Sequence, residues 1–375
     1  MPRQTQHIDL PSPGPGTSSR LTVHRYGTPG ARPKAYLQAS LHADEIPAML
    51  VLHHLLQMLE GAEILGEIVA VPYANPIGLT QFVNGEHLGR FALAGSGNFN
   101  RAWPDLLDQV DEQVAGKLGV DGATNVALIR QAVVETLSQR EAASQLDAMR
   151  LALSKDAADA DIVFDMHCDD EALLHLYAIP EQRDQATALA ADMGCEVILL
   201  NGPSGGDPFE EVWSTLWTRL AERHPDHPIP PACFATTLEY RGTGDVSDAQ
   251  AKPDAEALFR HFQRVGLVGG APDALPDTAV VCYDLNAVDV VRTAGGGILS
   301  YRAALGETVE PGQVIADLID PGAADPTQAR STVACQGGGV ILSLKHHKYV
   351  SPGTPIAKIA GHDPLDYRTG NLMSD

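Results

Sequence analysis

Two histidines and two glutamates in this chain stand where a run of apolar residues gives way to polar ones. His42 and Glu45 are three residues apart at the predicted start of a helix, and His167 and Glu239 each end a further apolar run. Imidazole nitrogen and carboxylate oxygen suit Zn²⁺, and a catalytic zinc keeps three protein ligands and a fourth position for water. Taken alone, the spacing of His42 and Glu45 is more typical of a polar helix cap than of a zinc site.

A shared metal site requires the strands that carry these residues to end at one place. Short apolar runs alternate with longer amphipathic stretches from about 21 to 270, which predicts an α/β fold with a mixed, mostly parallel sheet flanked by helices. In such sheets functional groups collect at the carboxyl ends of the strands. Strands are predicted at 34–40, 67–74, 161–167, 195–201 and 233–240, and helices at 46–61, 125–157 and 252–266.

The composition changes after about residue 272. Short β-like runs and Pro-Gly turns replace the helical periodicity, which predicts an α/β domain at 1–272 and an all-β domain at 273–375. Two segments of the second domain, 295–318 and 337–359, resemble each other, and the duplication is similar to the halves of a lipoyl/biotinyl barrel-sandwich. The connecting DPGAADPTQARST has no lysine, so we expect no attached lipoyl or biotin group.

Four short motifs together resemble one enzyme family. In order and spacing they are similar to the succinylglutamate desuccinylase/aspartoacylase family, which shares its fold and zinc site with the M14 zinc carboxypeptidases. Members of this family also carry a β domain on the C-terminal side. The resemblance covers most of residues 30–270. The motifs are HADE (42–45), NFNRAWP (98–104), FDMH (164–167) and TLEYRG (237–242).

The resemblance implies a role for each of the first four residues. His42, Glu45 and His167 would hold one zinc ion per chain, and Glu239 would act as general base and then general acid. Zinc lowers the pKa of a bound water to roughly 7, and a carboxylate within hydrogen-bond reach can take the remaining proton. The structural alternative for Glu239 is a strand-end ion pair with Arg241.

Five further polar residues are candidates for supporting roles. Asn100 and Arg101 match the pair that grips a substrate carboxylate in the family, and a planar guanidinium suits bidentate capture of such a group. Arg90, in a less closely matched loop, is a candidate to polarise the scissile carbonyl and stabilise the oxyanion, or else a surface arginine. Asp165 and Asp44 are candidate hydrogen-bond partners of the ligand imidazoles.

The charge balance disfavours some classes of partner. With 26 Lys and Arg against 48 Asp and Glu the net charge is −22, so the chain as a whole repels a nucleic-acid backbone. It has no apolar run of about 18 residues and no targeting pattern, so we expect a cytoplasmic protein without a membrane partner. The five scattered cysteines predict reduced thiols. A homo-oligomer is left open.

These observations predict a zinc-dependent amidohydrolase that removes an acyl group from an N-acylated amino acid or related small carboxylate. A metallocarboxypeptidase acting on short peptides is the alternative among enzymes, and a non-catalytic metal-binding protein is the alternative outside them. The two enzymes would differ in the side of the amide that Arg101 faces and in whether the β domain closes the cleft to long chains. The Gly-rich loop at 202–211 is a candidate to close over the substrate.

Overall fold

Nine strands form the largest sheet in the structure, a computed structural model that describes residues 3–95 and 97–372. All five strands predicted from the sequence are present, with ends shifted by a few residues. The strands of this sheet are β1 (Gln4–Leu10), β2 (Ser19–Gly27), β3 (Lys34–Ala39), β4 (Glu67–Val71), β5 (Ile162–Asp169), β6 (His175–Ala178), β7 (Val197–Leu200), β8 (Phe234–Gly242) and β9 (Val281–Asp284).

The strand order brings the predicted site residues to one edge of this sheet. The order is β1-β2-β4-β3-β5-β8-β6-β7-β9. Strands β4, β3, β5 and β8 are parallel neighbours, as are β6, β7 and β9, whereas β2 is antiparallel to β1 and β4, and β6 is antiparallel to β8. The register places Ala39 beside Met166 and His167 beside Glu239. The predicted mixed, mostly parallel α/β fold is confirmed.

Seven α-helices of the described residues flank the sheet. The prediction of a single helix at 125–157 is wrong, because residues 139–144 separate two helices. The Ser144 hydroxyl caps the second helix by accepting a hydrogen bond from Asp147 N at 3.1 Å. The helices are α1 (Pro47–Leu59), α2 (Leu107–Val114), α3 (Gly122–Ser138), α4 (Gln145–Ala157), α5 (Arg183–Met193), α6 (Phe209–Arg223) and α7 (Asp248–Arg264).

The hydrophobic core lies in two layers, one on each face of the sheet. Helices α1, α5 and α7 cover one face, and α2, α3, α4 and α6 cover the other. Successive strand residues point to opposite faces, so Leu37 and Phe164 join the first layer while Tyr36 and Val163 join the second. Because both faces are covered, the central strands β3, β5 and β8 are mostly buried, and polar residues within them such as Gln38 and Asp165 are hydrogen-bonded to each other.

The C-terminal part of the chain forms two small antiparallel sheets. One contains β10, β14 and β15 with the two-residue strands Thr308–Val309 and Glu171–Ala172, and the other contains β11, β12 and β13 with Tyr349–Val350. The six longer strands are β10 (Val288–Arg292), β11 (Gly297–Tyr301), β12 (Val314–Ile319), β13 (Arg330–Ala334), β14 (Gly339–Leu344) and β15 (Pro355–Ala360).

The two sequence repeats of this β part exchange their short strands. Thr308–Val309 of the first repeat pairs with β14 of the second, and Tyr349–Val350 of the second pairs with β11 of the first. Gly297 and Gly339 occupy matching positions with φ of 153° and 145°, and a Cβ at either would collide with a backbone carbonyl oxygen, at 2.4 and 2.0 Å. The duplication is therefore present in three dimensions, while the lipoyl/biotinyl likeness stays a prediction.

The two parts of the chain are joined through the large sheet. Strand β9 belongs to that sheet although it follows residue 272, and Glu171–Ala172, just after β5, pairs with β14. We keep the division into 1–272 and 273–375 as a proposal. No helix in the described residues combines the length and the apolar content needed to cross a bilayer.

Candidate metal centre

The site forms where two loops follow neighbouring parallel strands. After β3 the chain turns through Ser40, which has a left-handed φ of 61°, and presents His42 and Glu45 before α1 begins. His167 lies near the carboxyl end of β5, and its side chain reaches the same point because β3 and β5 are paired. The three side chains are buried, with exposed fractions of 3–4%. The structure thus brings together the three predicted ligands.

One ligand atom from each of these residues lies within 4.8 Å of the others. Glu45 lies between the two imidazoles: its Oε1 is 2.8 Å from His42 Nδ1, and its Oε2 is 2.7 Å from His167 Nδ1. The backbone N–H of Cys168 also donates to Glu45 Oε2, at 3.2 Å. Both Nδ1 atoms and the carboxylate therefore face one common centre.

The outer nitrogen of each imidazole has its own oxygen partner. His42 Nε2 is 2.8 Å from Asn98 Oδ1, and His167 Nε2 is 2.9 Å from Asp165 Oδ2. Such partners hold Nε2 in its protonated form and leave the Nδ1 lone pair for a metal. The expectation for Asp165 agrees with this geometry. The partner of His42 is Asn98 and not Asp44, whose Oδ1 has no hydrogen-bond partner among the described residues.

The ionisable side chains at the centre shift each other's pKa values. Burial alone would raise the pKa of Glu45, but His42 and His167 outweigh it and hold this pKa well below its usual range. Burial would lower the pKa of His167, whereas Asp165 and Glu45 raise it well above its usual value. The negative charge of Glu45 is therefore stabilised by the two imidazoles that flank it.

The residues present fit a zinc ion. Two imidazoles and one carboxylate are a donor set found in catalytic zinc sites, and the outer hydrogen bonds that such sites use are already formed. The three ligands lie at the bottom of a cavity of about 400 Å³, so a fourth position can be reached by water and substrate.

Glu239 lies on β8 beside His167 and lines the same cavity. Its Oε2 is buried and has no hydrogen-bond partner among the described residues. Burial, reinforced by the nearby Glu45 carboxylate, raises the pKa of Glu239 to about 8. The alternative pairing with Arg241 does not occur, because Arg241 donates two hydrogen bonds to Asp254 instead, at 2.6 and 3.0 Å. Glu239 is thus a carboxyl group poised to exchange a proton inside the cavity.

Arg90 also reaches the centre. Its Nη1 donates to Glu45 Oε1 at 3.1 Å and lies 3.3 Å from His42 Nδ1, and 43% of its side chain is exposed, on the cavity side. Arg90 is therefore not a surface arginine remote from the metal ligands. A guanidinium placed here can stabilise negative charge that develops beside the metal ligands.

Asn100 and Arg101 line the cavity next to the ligands, but their contacts differ. The Asn100 amide is used within the protein: Nδ2 donates to Asp165 Oδ2 at 3.2 Å, and Oδ1 accepts from Phe209 N at 2.8 Å. Arg101 Nη1 donates to the Asn100 carbonyl at 2.8 Å, and its guanidinium lies against Gly206 of the Gly-rich loop. These contacts favour a positioning role for Asn100 and leave the predicted carboxylate-binding role to Arg101.

The β part supplies one wall of the cavity, a placement that the sequence left open. Lys358 Nζ donates to Asp169 Oδ2 at 2.5 Å, and Lys345 Nζ donates to Asp170 Oδ2 at 2.8 Å. The aspartates lie two and three residues after His167 in sequence, so these ion pairs attach the β part to the strand that carries a ligand. Nothing local in the sequence connects these lysines with aspartates 189 and 175 residues away, and only the folded sheets bring them together.

Comparison with known proteins agrees with this geometry. Residues 31–125 match the family model of the succinylglutamate desuccinylase/aspartoacylase catalytic domain. The resemblance predicted from the sequence motifs is confirmed. The matched segment contains His42, Glu45, Asn98, Asn100 and Arg101. No curated protein matches the chain.

Solved structures share the fold over nearly the whole chain. A candidate succinylglutamate desuccinylase/aspartoacylase from Shewanella frigidimarina has a TM-score of 0.87 at 22% identity and covers 97% of this chain and 99% of its own. A candidate member from Shewanella amazonensis has a TM-score of 0.85 at 23% identity, covering 95% and 98%. The product-bound ectoine utilization protein EutE (DoeB) from Ruegeria pomeroyi has a TM-score of 0.68 at 15% identity, covering 95% of each chain. The chain therefore has the fold of this family, including the C-terminal β part.

Proposed function

We propose that this protein is a zinc-dependent amidohydrolase that removes an acyl group from an N-acylated amino acid or related small carboxylate. One observation carries the proposal: His42, Glu45 and His167 converge in a single cavity beside Glu239, whose Oε2 has no hydrogen-bond partner among the described residues. The family match over residues 31–125 and the shared fold support the same class of reaction.

The ligands and Glu239 divide the chemistry between them. A zinc ion held by the three ligands would supply the Lewis acid that polarises the scissile carbonyl and acidifies water. Glu239 accepts a proton from the attacking water and returns it to the nitrogen of the leaving amine, so that one carboxyl group acts first as base and then as acid. Its hydrogen-bond capacity at Oε2 is not used within the described residues, so it can serve both steps.

Arg90 and Arg101 hold the charged parts of the substrate. Arg90, at 3.1 Å from Glu45, faces the space where the carbonyl oxygen gains negative charge and stabilises that charge. Arg101 binds a free carboxylate of the substrate, and Asn100 keeps that region in place through Asp165 and Phe209. A small acylated amino acid carries both groups that these arginines require.

The size of the cavity favours a small substrate over a peptide. Val288, Val290 and Pro355 of the β part line the cavity together with the metal ligands, and its volume is about 400 Å³. This volume accommodates one small ligand but no extended chain. The metallocarboxypeptidase alternative would require the β part to move away from the site.

A substrate panel tests the proposal. N-acetyl and N-succinyl amino acids are assayed beside dipeptides, with the zinc-loaded protein and with the protein after chelation. We expect turnover of at least one N-acyl amino acid that is lost on chelation and restored by zinc. Turnover of peptides alone would instead support the carboxypeptidase alternative, and no turnover in the presence of bound zinc would support a non-catalytic protein.

A further inference from the structure

The segment at 88–93, which carries Arg90, receives little support from the hydrophobic core. Its large apolar side chains are exposed, with fractions of 41% for Leu88, 46% for Phe91 and 56% for Leu93. Burial of apolar surface therefore contributes little to the position of this segment. Arg90 nevertheless reaches Glu45 at 3.1 Å, so polar contacts must set the course of the chain here.

The side-chain amide of Gln81 supplies three of these polar contacts. Its Nε2 donates to Leu88 O at 2.6 Å and to Phe91 O at 2.8 Å, and its Oε1 accepts from Leu93 N at 2.9 Å. Both N–H donors of the amide and its oxygen are thereby used. The backbone adds a fourth bond, because Leu88 N donates to Gln81 O at 2.9 Å. Gln81 therefore holds the chain on both sides of Arg90.

Gln81 is itself connected to the loop that carries His42. It is 9% exposed and follows the 3₁₀ turn that begins at Gly78, where its N–H donates to Gly78 O at 3.0 Å. The Asn75 side chain joins this turn to the loop: Oδ1 accepts from Gly78 N, and Nδ2 donates to Leu41 O, both at 2.8 Å. Because Leu41 directly precedes His42, the Gln81 amide has a fixed position relative to the metal ligands.

The backbone beside Arg90 also contacts the ligand loop directly. Ala43 N donates to Gly89 O at 3.0 Å. A Cβ at position 89 would collide with Asp44 N, so the two backbones approach as closely as glycine allows. This contact fixes the segment at one point, and the Gln81 amide holds the residues on either side of that point.

We propose that Gln81 is a positioning residue for Arg90, whose guanidinium it holds beside Glu45. This inference rests on the proposed amide hydrolysis, in which Arg90 stabilises the negative charge of the carbonyl oxygen. A donor does so efficiently only if it already stands where that charge develops. Gln81 is not among the described residues that line the cavity, so its effect on the reaction passes through Arg90.

Replacing Gln81 by methionine keeps the size of the side chain and removes its three hydrogen bonds. We expect Q81M to lower kcat by about tenfold or more and to change KM by less than about twofold, because Arg101 still binds the substrate carboxylate. Q81E turns a second acceptor toward the carbonyls of Leu88 and Phe91, so it should lower kcat at least as far. A Q81E variant with wild-type kcat would show that only the size of the side chain matters and would overturn the proposal.

Thr80 provides the matched control on the same turn. Its hydroxyl donates to Ile77 O at 2.8 Å and has an exposed position beside Gln81. Thr80→Val therefore removes a local hydrogen bond of this turn without touching the segment at 88–93. We expect T80V to keep the kcat and KM of the wild type.

A double-mutant cycle separates an action through Arg90 from a general loss of structure. R90M alone should lower kcat by about a hundredfold or more. In the R90M background, Q81M should change kcat by less than about twofold, because the group that Gln81 positions is gone. An equal effect of Q81M in both backgrounds would reduce Gln81 to a structural role and overturn the proposal. An R90M variant with wild-type kcat would overturn it as well.

Amide hydrogen exchange separates this proposal from the proposed function. Exchange at residues 88–93 is measured by mass spectrometry in the zinc-loaded wild type, Q81M and T80V. We expect exchange that is at least about tenfold faster in Q81M alone. If no N-acyl amino acid is hydrolysed but this pattern holds, the hydrolase function fails and the placement of Arg90 by Gln81 stands. If hydrolysis occurs and Q81M matches the wild type in both exchange and kcat, the positioning role fails.

Discussion

At the scale of single residues, Glu239 is the side chain on which the proposed hydrolysis depends most. Glu239 lies beside His167 and lines the cavity, and its Oε2 has no hydrogen-bond partner in the described part of the chain. We expect Glu239→Gln to lower kcat by at least about a hundredfold, because the amide cannot accept and return the proton. Zinc content should stay at the wild-type level, because Glu239 is not a ligand.

The control for this change is Glu222→Gln on the exposed side of α6, which should leave kcat unchanged. Steady-state kinetics with a turned-over N-acyl amino acid and elemental analysis measure the two quantities. An E239Q variant with wild-type kcat and full zinc would refute the assigned role of this carboxyl group. Measuring kcat and zinc content together also distinguishes loss of the general base from disturbance of the metal site.

At the scale of elements, the ion pair between β15 and the end of β5 attaches the β part to the ligand strand. Lys358 and Asp169 are largely buried, with exposed side-chain fractions of 33% and 15%. Replacing Lys358 by Met leaves the Asp169 charge without its partner, and we expect a loss of about 1–3 kcal/mol in the free energy of unfolding. Denaturant titration followed by circular dichroism measures this loss.

Lys348 offers a matched comparison for this prediction. It pairs with Glu171 at the surface with about two fifths of each side chain exposed, so Lys348→Met should cost less than about 1 kcal/mol. Equal effects of the two substitutions would show that burial of the Lys358 pair contributes nothing to the attachment. A larger effect of Lys348→Met would contradict the assignment of the main contact to β15.

A second contact between elements gives a prediction about pH. Asp192 at the end of α5 accepts hydrogen bonds from Arg264 and His261 of α7. Burial alone would raise the pKa of Asp192, but these partners outweigh it and lower the pKa to about 2. Because this pKa lies below the value of about 4 in an unfolded chain, the ionised form stabilises the fold. The contribution is complete above about pH 4 and disappears as the pH falls toward 2.

Asp192→Asn should therefore reduce the free energy of unfolding by about 2 kcal/mol at pH 7 and by much less near pH 2. Unfolding curves measured at several pH values for both proteins give the difference directly. A difference that does not change with pH would show that the effect arises from packing and not from the carboxylate charge. Asp184→Asn on the exposed side of the same helix is the control.

At the scale of the whole molecule, the sequence predicted the α/β fold and the centre of the site because their signals are local. Apolar runs marked the buried parallel strands, and His42, Glu45, His167 and Glu239 stand out where those runs end. The exposed edge strand β1 lacks such a run, and in its neighbour β2 the buried apolar residues are interrupted by polar ones. The long helix was predicted in error at 125–157 because the break at Ser144 depends on a capping hydroxyl that helical periodicity does not reveal.

The remaining features of the site arise from contacts between distant parts of the chain. Asn98 became a partner of His42, and Asn100 a partner of Asp165, through a loop with no regular pattern. The cavity wall that includes Lys345 and Lys358 forms only when the β part packs on the ends of the α/β strands. Such pairings join residues that are far apart in the sequence, so they become visible only in the folded structure.

The zinc content of the purified chain tests the account most directly. The wild type and His167→Ala are dialysed against metal-free buffer and analysed by plasma mass spectrometry. The account predicts about one zinc per chain in the wild type and a large loss in the variant, because three protein ligands are needed to retain the ion. A wild-type chain that retains no zinc when purified from zinc-supplemented medium, or a variant that retains as much as the wild type, would contradict it.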